Sequence, residues 1–373
     1  MPDAAHRPSR RDLPSLDGLR AISIIFVIAG HVLEGRPGIL AAATSRLANF
    51  GVCVFFVISG FLITTILVRG AKGAGRIDLR RFYLRRVFRI FPPYYAYLAV
   101  LATCTALKLW NKSPTARWWP AMTFLSNLFT TNDSLTIHSW SLSLEEQFYL
   151  MWPVVLTICV WRRGLENGAR LAASLAIASL FLAPVMKAVL FWWTRDGALI
   201  SNLNFEYVAA GSSLVLLREF RKPLHHRAIV AMRATSAMLP VAGLAAMLLH
   251  LHFAQSTRWT FALDELLVTP IEAVLLALFV AWAIDNPNHL VGRALNILPL
   301  RILGIGSYSL YLWQQLYLGP WSPFHLSPWL ALASAFACAA GSYWLIERPA
   351  LLFRAHVESF IFAKSRSNIG SAV

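Results

Sequence analysis

The chain has 373 residues, of which 57% are hydrophobic and only 14% charged. A soluble domain cannot expose that much apolar surface without aggregating, so a water-soluble class is excluded and a polytopic membrane protein is expected. Lys and Arg outnumber Asp and Glu by 34 to 18, but they crowd into short segments between apolar runs, which argues for membrane-anchored loops and against a basic nucleic-acid face.

Apolar runs of about 20 residues predict an all-α fold, an integral membrane helical bundle of ten transmembrane helices at 16–34, 48–68, 91–109, 139–160, 171–193, 201–217, 235–253, 261–284, 301–319 and 327–346. The basic clusters Arg7–Arg11, Arg69–Arg89, Arg162–Arg163, Arg218–Arg233, Arg293 and Arg348–Arg366 then fall on one side, which places both termini in the cytoplasm. The opposite loops, Trp110–Ser139 above all, are poor in basic residues and rich in interfacial Trp. A basic lead, an apolar core and Ala41–Ala43 also fit a cleaved secretory signal loosely, but the first run is long enough to span. The expected organisation is a cytoplasmic tail at 1–14, a membrane domain at 15–346 and a cytoplasmic tail at 347–373, with no fused soluble domain.

The first span carries two costly groups, Arg20 and His31, in LDGLRAISIIFVIAGH. Their spacing of 11 puts them on one helix face, roughly 16 Å apart along the axis. Ionisable side chains at such depth are functional candidates by default. Counting ~1.5 Å per residue sets His31 in the outer half of the bilayer, level with Glu145 and Glu146 on the fourth span. A neutral imidazole beside a carboxylate suits general-base catalysis, and Glu34, Glu145 and Glu146 are all open as its orienter. Glu206 and Asp264 come out at similar depth and read as interfacial; Ser59 and Gln314 lie a little deeper. No His, Cys and carboxylate set has zinc-ligand spacing, and His225–His226 sits in a basic loop. The four cysteines, Cys53, Cys104, Cys159 and Cys338, lie singly inside apolar runs and read as small hydrophobes.

The second feature is DLRRFYLRRVFRIFPPYY, in which Arg86 and Arg89 stand one turn apart beside membrane-depth aromatics. A positive-inside anchor accounts fully for Lys72 and Arg76. Arg86 and Arg89, with Arg20 near the same level, instead suggest bidentate recognition of an anionic, phosphorylated ligand.

These segments resemble the acyltransferase-3 family of bacterial membrane O-acyltransferases, and the resemblance runs nearly end to end. Arg20 and His31 match its opening motif, FFVISGFLIT its second-helix motif through Ser59, and Arg86 and Arg89 its Arg-x-x-Arg pair. HSWSLSLEEQFYL matches its fourth-helix motif at His138, Trp140, Ser141, Glu145 and Glu146; GSYSLYLWQQ, with Tyr308, and WLIERP match its late signatures. Many relatives have His after YLW where this chain has Gln314, so a role for that histidine does not carry over. The resemblance implies a multi-pass enzyme of the bacterial cytoplasmic membrane. It would move an acyl group, usually acetyl from acetyl-CoA used as donor substrate with no tightly bound cofactor or metal, to a hydroxyl of an extracytoplasmic glycan or lipid-linked sugar. Arg20, Arg86 and Arg89 would meet the CoA phosphates, and His31 would act with Glu145 and Glu146. Ser59, His138, Trp140, Ser141, Tyr308 and Gln314 would be substrate contacts. Trp118, Trp119 and Trp140 suit sugar stacking, though a membrane-interface belt uses Trp in the same way. The rival class is a transporter or flippase, whose usual inverted repeats and interrupted helices are not visible here.

Overall fold

The computed structural model describes residues 13, 15–33, 39–109, 118–129, 135–194, 202–220, 241, 245, 257–319 and 322–370, and these are mostly helical with no strand among them. Six of the described helical segments are long and apolar enough to cross a membrane. The predicted span at 235–253 falls, but for Val241 and Ala245, outside the described residues, as do Glu34, His225 and His226.

Helix α1 (Leu16–Leu33) and helix α2 (Ile39–Ala74) are followed by α3 (Leu79–Ala106), which starts a dozen residues before the predicted third span. Asp78 explains the early start, because its side chain accepts from the Arg81 N–H and caps the helix ahead of the arginines. The Arg-rich segment is therefore helix, continuous through Pro92 and Pro93. After a short turn α4 (Trp119–Met122) comes α5 (Ser139–Thr194), which merges the predicted fourth and fifth spans. Gly164 breaks it at φ 76°, a left-handed conformation that glycine adopts without strain. The chain folds back so tightly that a Cβ on Gly168 would lie 2.4 Å from the Cys159 carbonyl oxygen.

Helix α6 (Phe205–Phe220) packs against α2 and α5. Gly60 and Gly211 let the α2 and α6 backbones touch: a Cβ on Gly60 would stand 2.0 Å from the Val208 oxygen, one on Gly211 2.2 Å from that of Val57. Small residues at such crossings are the usual membrane solution, since lipid offers no hydrophobic drive for helix association. Helix α7 (Arg258–Leu263) runs through a π-helical turn, Asp264–Val268, into α8 (Thr269–Asp285). Then come α9 (Leu290–Leu295) and α10 (Leu298–Tyr317), the latter packed along α1. Helix α11 (Pro328–Ser342) passes through a second π-helical turn, Tyr343–Glu347, into α12 (Arg348–Gly370). Residues 348–370, expected as tail, are thus helix docked on α3.

The segment between α3 and α5 departs most from expectation. Read as an outer loop, it instead buries Ser126, Asn127, Leu135, Thr136 and His138. Three α3 tyrosines satisfy its backbone: Tyr94 donates to the Ala121 oxygen (2.7 Å), Tyr95 to that of Met122 (2.9 Å) and Tyr97 to that of Leu135 (2.7 Å). From α5, Gln147 reaches the Phe124 oxygen at 3.0 Å and the Asn127 side chain at 2.8 Å. Irregular backbone tolerates this depth only when protein groups take its hydrogen bonds.

Candidate active site

Five helices converge on one cavity. Arg20 enters it from α1, Ser59 from α2, and Arg86 and Arg89 from α3. Helix α5 contributes Ser141, Glu145, Glu146 and Tyr149; α10 contributes Ser307, Tyr308 and Tyr311. The three-residue spacing of Arg86 and Arg89 and the adjacent Glu145 and Glu146 thus join Arg20 in a single constellation of guanidiniums and carboxylates.

Each arginine is held differently. The Arg20 Nε donates to Ser307 Oγ at 3.2 Å, and its guanidinium lies 5.8 Å from the centre of the Phe55 ring. Arg86 has no ion-pair partner among the described residues and rests on two rings, Tyr149 at 4.9 Å and Phe82 at 5.7 Å. An aromatic face attracts the cation while leaving its N–H edge free for an anion. Arg89 alone is ion-paired, Nη1 to Glu347 Oε1 at 2.8 Å.

Glu145 is held by two hydroxyls. Ser59 Oγ donates to its Oε1 at 2.6 Å, and Tyr149 donates to Ser59 Oγ at 2.9 Å and to Glu145 Oε2 at 3.3 Å. The charges acting on this carboxylate are Arg20 and Arg86. Tyr308 donates to the Ile90 oxygen at 3.0 Å, and Ser141 Oγ lies 2.6 Å from the Tyr311 hydroxyl.

His31, His138, Trp140 and Gln314 do not line this cavity. His31 is half-buried two residues from the C-terminal end of α1. Glu145 therefore keeps company with Arg20, some 16 Å along α1 from His31, rather than standing level with the histidine as the depth count implied. The reason is the buried segment before α5. The count took Ser139 as the membrane surface, whereas Ser139 is itself 2% exposed and lies well inside the bundle. The imidazole that does lie within electrostatic range of His31 is that of His138. His138 is buried, its ring 5.5 Å from Tyr97 and 5.6 Å from Tyr311, and neither ring nitrogen has a hydrogen-bond partner among the described residues. Gln314, fully buried on α10, has both amide atoms in the same condition. Trp140 packs edge-on against Phe56 at 5.9 Å.

A second charged cluster lies among α5, α6 and the first π-helical turn. Lys187 Nζ reaches Glu206 Oε1 and Glu265 Oε2, both at 2.6 Å, and Asn204 Oδ1 at 3.2 Å. Lys187 is 1% and Glu206 0% exposed, so Glu206 is a core residue and not the interfacial acid expected from its depth; Asp264 is half-buried. Lys187 and Glu265 were missed. A lone lysine inside LFLAPVMKAVLF was the available signal, since such a residue needs a buried counter-charge. Tyr149, Tyr311, Ser307 and Glu347 were also overlooked as site residues, being hydroxyls or motif ends with no distinctive spacing.

The fold is a helical bundle with helices long enough to cross a membrane, in which arginines and carboxylates share one cavity. A family profile described as an acyltransferase domain matches residues 13–347, and the chain belongs to this family, acyltransferase-3. It is 27% identical over 374 residues to the peptidoglycan O-acetyltransferase OatA of Listeria monocytogenes, an alignment covering 92% of this chain and 56% of that protein. It is also 27% identical over 329 residues to the O-acetyltransferase OatA of Staphylococcus aureus, covering 82% of this chain and 50% of that one. The chain thus spans about half the length of the curated relatives it matches. No solved structure matches it.

Proposed function

We propose that this acyltransferase takes acetyl from cytoplasmic acetyl-CoA and delivers it to a hydroxyl of an extracytoplasmic glycan, from a site in the bacterial cytoplasmic membrane. The observation that carries the reading is the cavity in which Arg20, Arg86 and Arg89 converge, with the Arg86 guanidinium held by rings and not by a carboxylate. Phosphate oxygens are the ligand that such a cluster favours, and an N–H edge left free on an aromatic support is poised for them. Glu145 and Glu146 offset the excess positive charge when no anion is bound. The names of the relatives point to peptidoglycan as the acceptor.

In this reading the thioester arm extends along α1 toward His31, the ~16 Å separation by helix rise being within reach of an extended arm. His31 removes the proton of the acceptor hydroxyl as the oxygen attacks the thioester carbonyl carbon. The tetrahedral intermediate then expels the CoA thiolate, which takes that proton back from the imidazolium, leaving an acetyl ester and free CoA. His138 and Gln314, buried with polar atoms unmatched among the described residues, suit the acceptor's hydroxyls, because buried donors and acceptors normally find a partner.

The test uses sealed vesicles of known protein orientation. Acetyl-CoA supplied on the face bearing the Arg69–Arg89 segment is expected to acetylate a membrane-impermeant muropeptide enclosed on the other face, with stoichiometric CoA release. Transfer only when both substrates share one compartment would replace this reading with a one-sided acyltransferase.

A further inference from the structure

Arg81, Arg85 and Arg89 recur every fourth residue, so they share one face of α3, and each meets a carboxylate from the C-terminal part of the chain. Glu358 on α12 takes Arg81 at 2.8 Å and Arg85 at 2.5 Å, and Glu347 takes Arg89 at 2.8 Å. Only the last of the three arginines lines the cavity. Glu347 does not line it: the side chain is wholly buried, and its other oxygen accepts from Ser309 Oγ at 2.8 Å. Ser309 is likewise absent from the cavity wall, which α10 builds from Ser307, Tyr308 and Tyr311. Glu347 therefore grips Arg89 from outside the cavity. It closes the second π-helical turn, whose wider winding adds a residue to the helix and marks functional positions often.

A guanidinium offers five N–H groups in a rigid fork, and the ion pair with Glu347 forms at its Nη1. We propose that Glu347 is a positioning residue: it fixes the Arg89 guanidinium so that its remaining N–H groups meet a phosphate of the acyl-CoA donor. A long side chain ordered before binding loses less entropy when the ligand arrives. Ser309 fixes Glu347 in turn, and Glu358, which serves only arginines outside the cavity, docks α12 without acting on the donor. The proposal rests on the reading of the cavity as the donor site.

Acetyl-CoA affinity, measured calorimetrically on purified protein in lipid nanodiscs, tests both. Arg89→Ala and Glu347→Gln are each expected to raise the donor Kd about tenfold, the scale of a hydrogen bond to a charged group. Glu347→Asp should recover part of the loss. The double variant should bind no more weakly than Arg89→Ala alone, the acceptor KM should not move, and Glu358→Gln should keep the parental Kd. Ser309→Ala keeps the charge and answers the question should Glu347→Gln not fold; a donor Kd raised a few-fold is expected. Parental or tighter donor binding by Glu347→Gln or Ser309→Ala, with Arg89→Ala weakened, would overturn the positioning role alone. Parental binding by Arg89→Ala would remove the donor-site reading and the proposal with it.

Discussion

Helix α2 separates two groups of buried charge that are built for opposite ends. On its α6 side, Lys187 Nζ donates to Glu206 and Asn204 and stands 2.6 Å from a Glu265 oxygen, and the cluster is shut from solvent. On its other side, Ser59, Phe55 and Phe56 help to wall a cavity in which Arg86 leans on aromatic faces and keeps its polar edge unspent. A closed ion cluster fixes helix positions, whereas an open one with ring-supported cations keeps capacity for a ligand. Burial and charge alone do not tell them apart; whether the cation is matched by carboxylates or rests on rings does.

The largest effect that separates the two regions is expected at Lys187. Lys187→Met strands two buried carboxylates, a cost of about 3–5 kcal/mol, and should abolish the folded protein by thermal denaturation in detergent. Adding Glu206→Gln and Glu265→Gln to it should restore both folding and transfer, because no part of that cluster lines the cavity. If the Lys187→Met protein stays folded and loses only turnover, the division between scaffold and site is wrong.

Next in size, His31→Gln should reduce turnover by at least the ~10²-fold attached to loss of a general base, with thermal stability and donor affinity unchanged. Near-normal turnover in correctly inserted protein would take His31 out of the mechanism. Arg86→Ala should weaken acetyl-CoA binding about tenfold, more at high salt where the remaining charge contacts are screened. Arg86→Lys should recover little, since an ammonium lacks the planar fork. Smallest of all, Ser59→Ala removes one hydrogen bond to Glu145, worth ~1 kcal/mol, and should lower turnover a few-fold in a coupled CoA-release assay. An unchanged rate would show that Tyr149 alone suffices to hold the carboxylate.

Helix class and the motif residues Arg20, Arg86, Arg89, Glu145 and Glu146 were legible because apolar run length and costly membrane charges are local signals. Depth was not. Helix rise gives relative depth within a span, but the starting point of α5 is set by tertiary burial of the segment before it, through hydroxyls of Tyr94, Tyr95 and Tyr97 that carry no distinguishing pattern. The same limit hid the Lys187 cluster, whose members come from segments 80 residues apart by number, and the α12 helix, whose low hydropathy reads as tail until Glu358 is seen to grip Arg81 and Arg85.

The contact between Arg20 and Ser307 joins residues 287 positions apart, and this sets an order in time. A ribosome adding roughly 5–20 residues per second makes α1 about 15–60 s before α10 exists to receive it. Until the end of that interval Arg20 sits in an unfinished bundle that lacks Ser307. The cavity closes only after α10 arrives, and Arg89 waits longer still for Glu347. A nascent chain interrupted before Leu298 leaves Arg20, Arg86 and Arg89 without the wall that α10 supplies to their cavity.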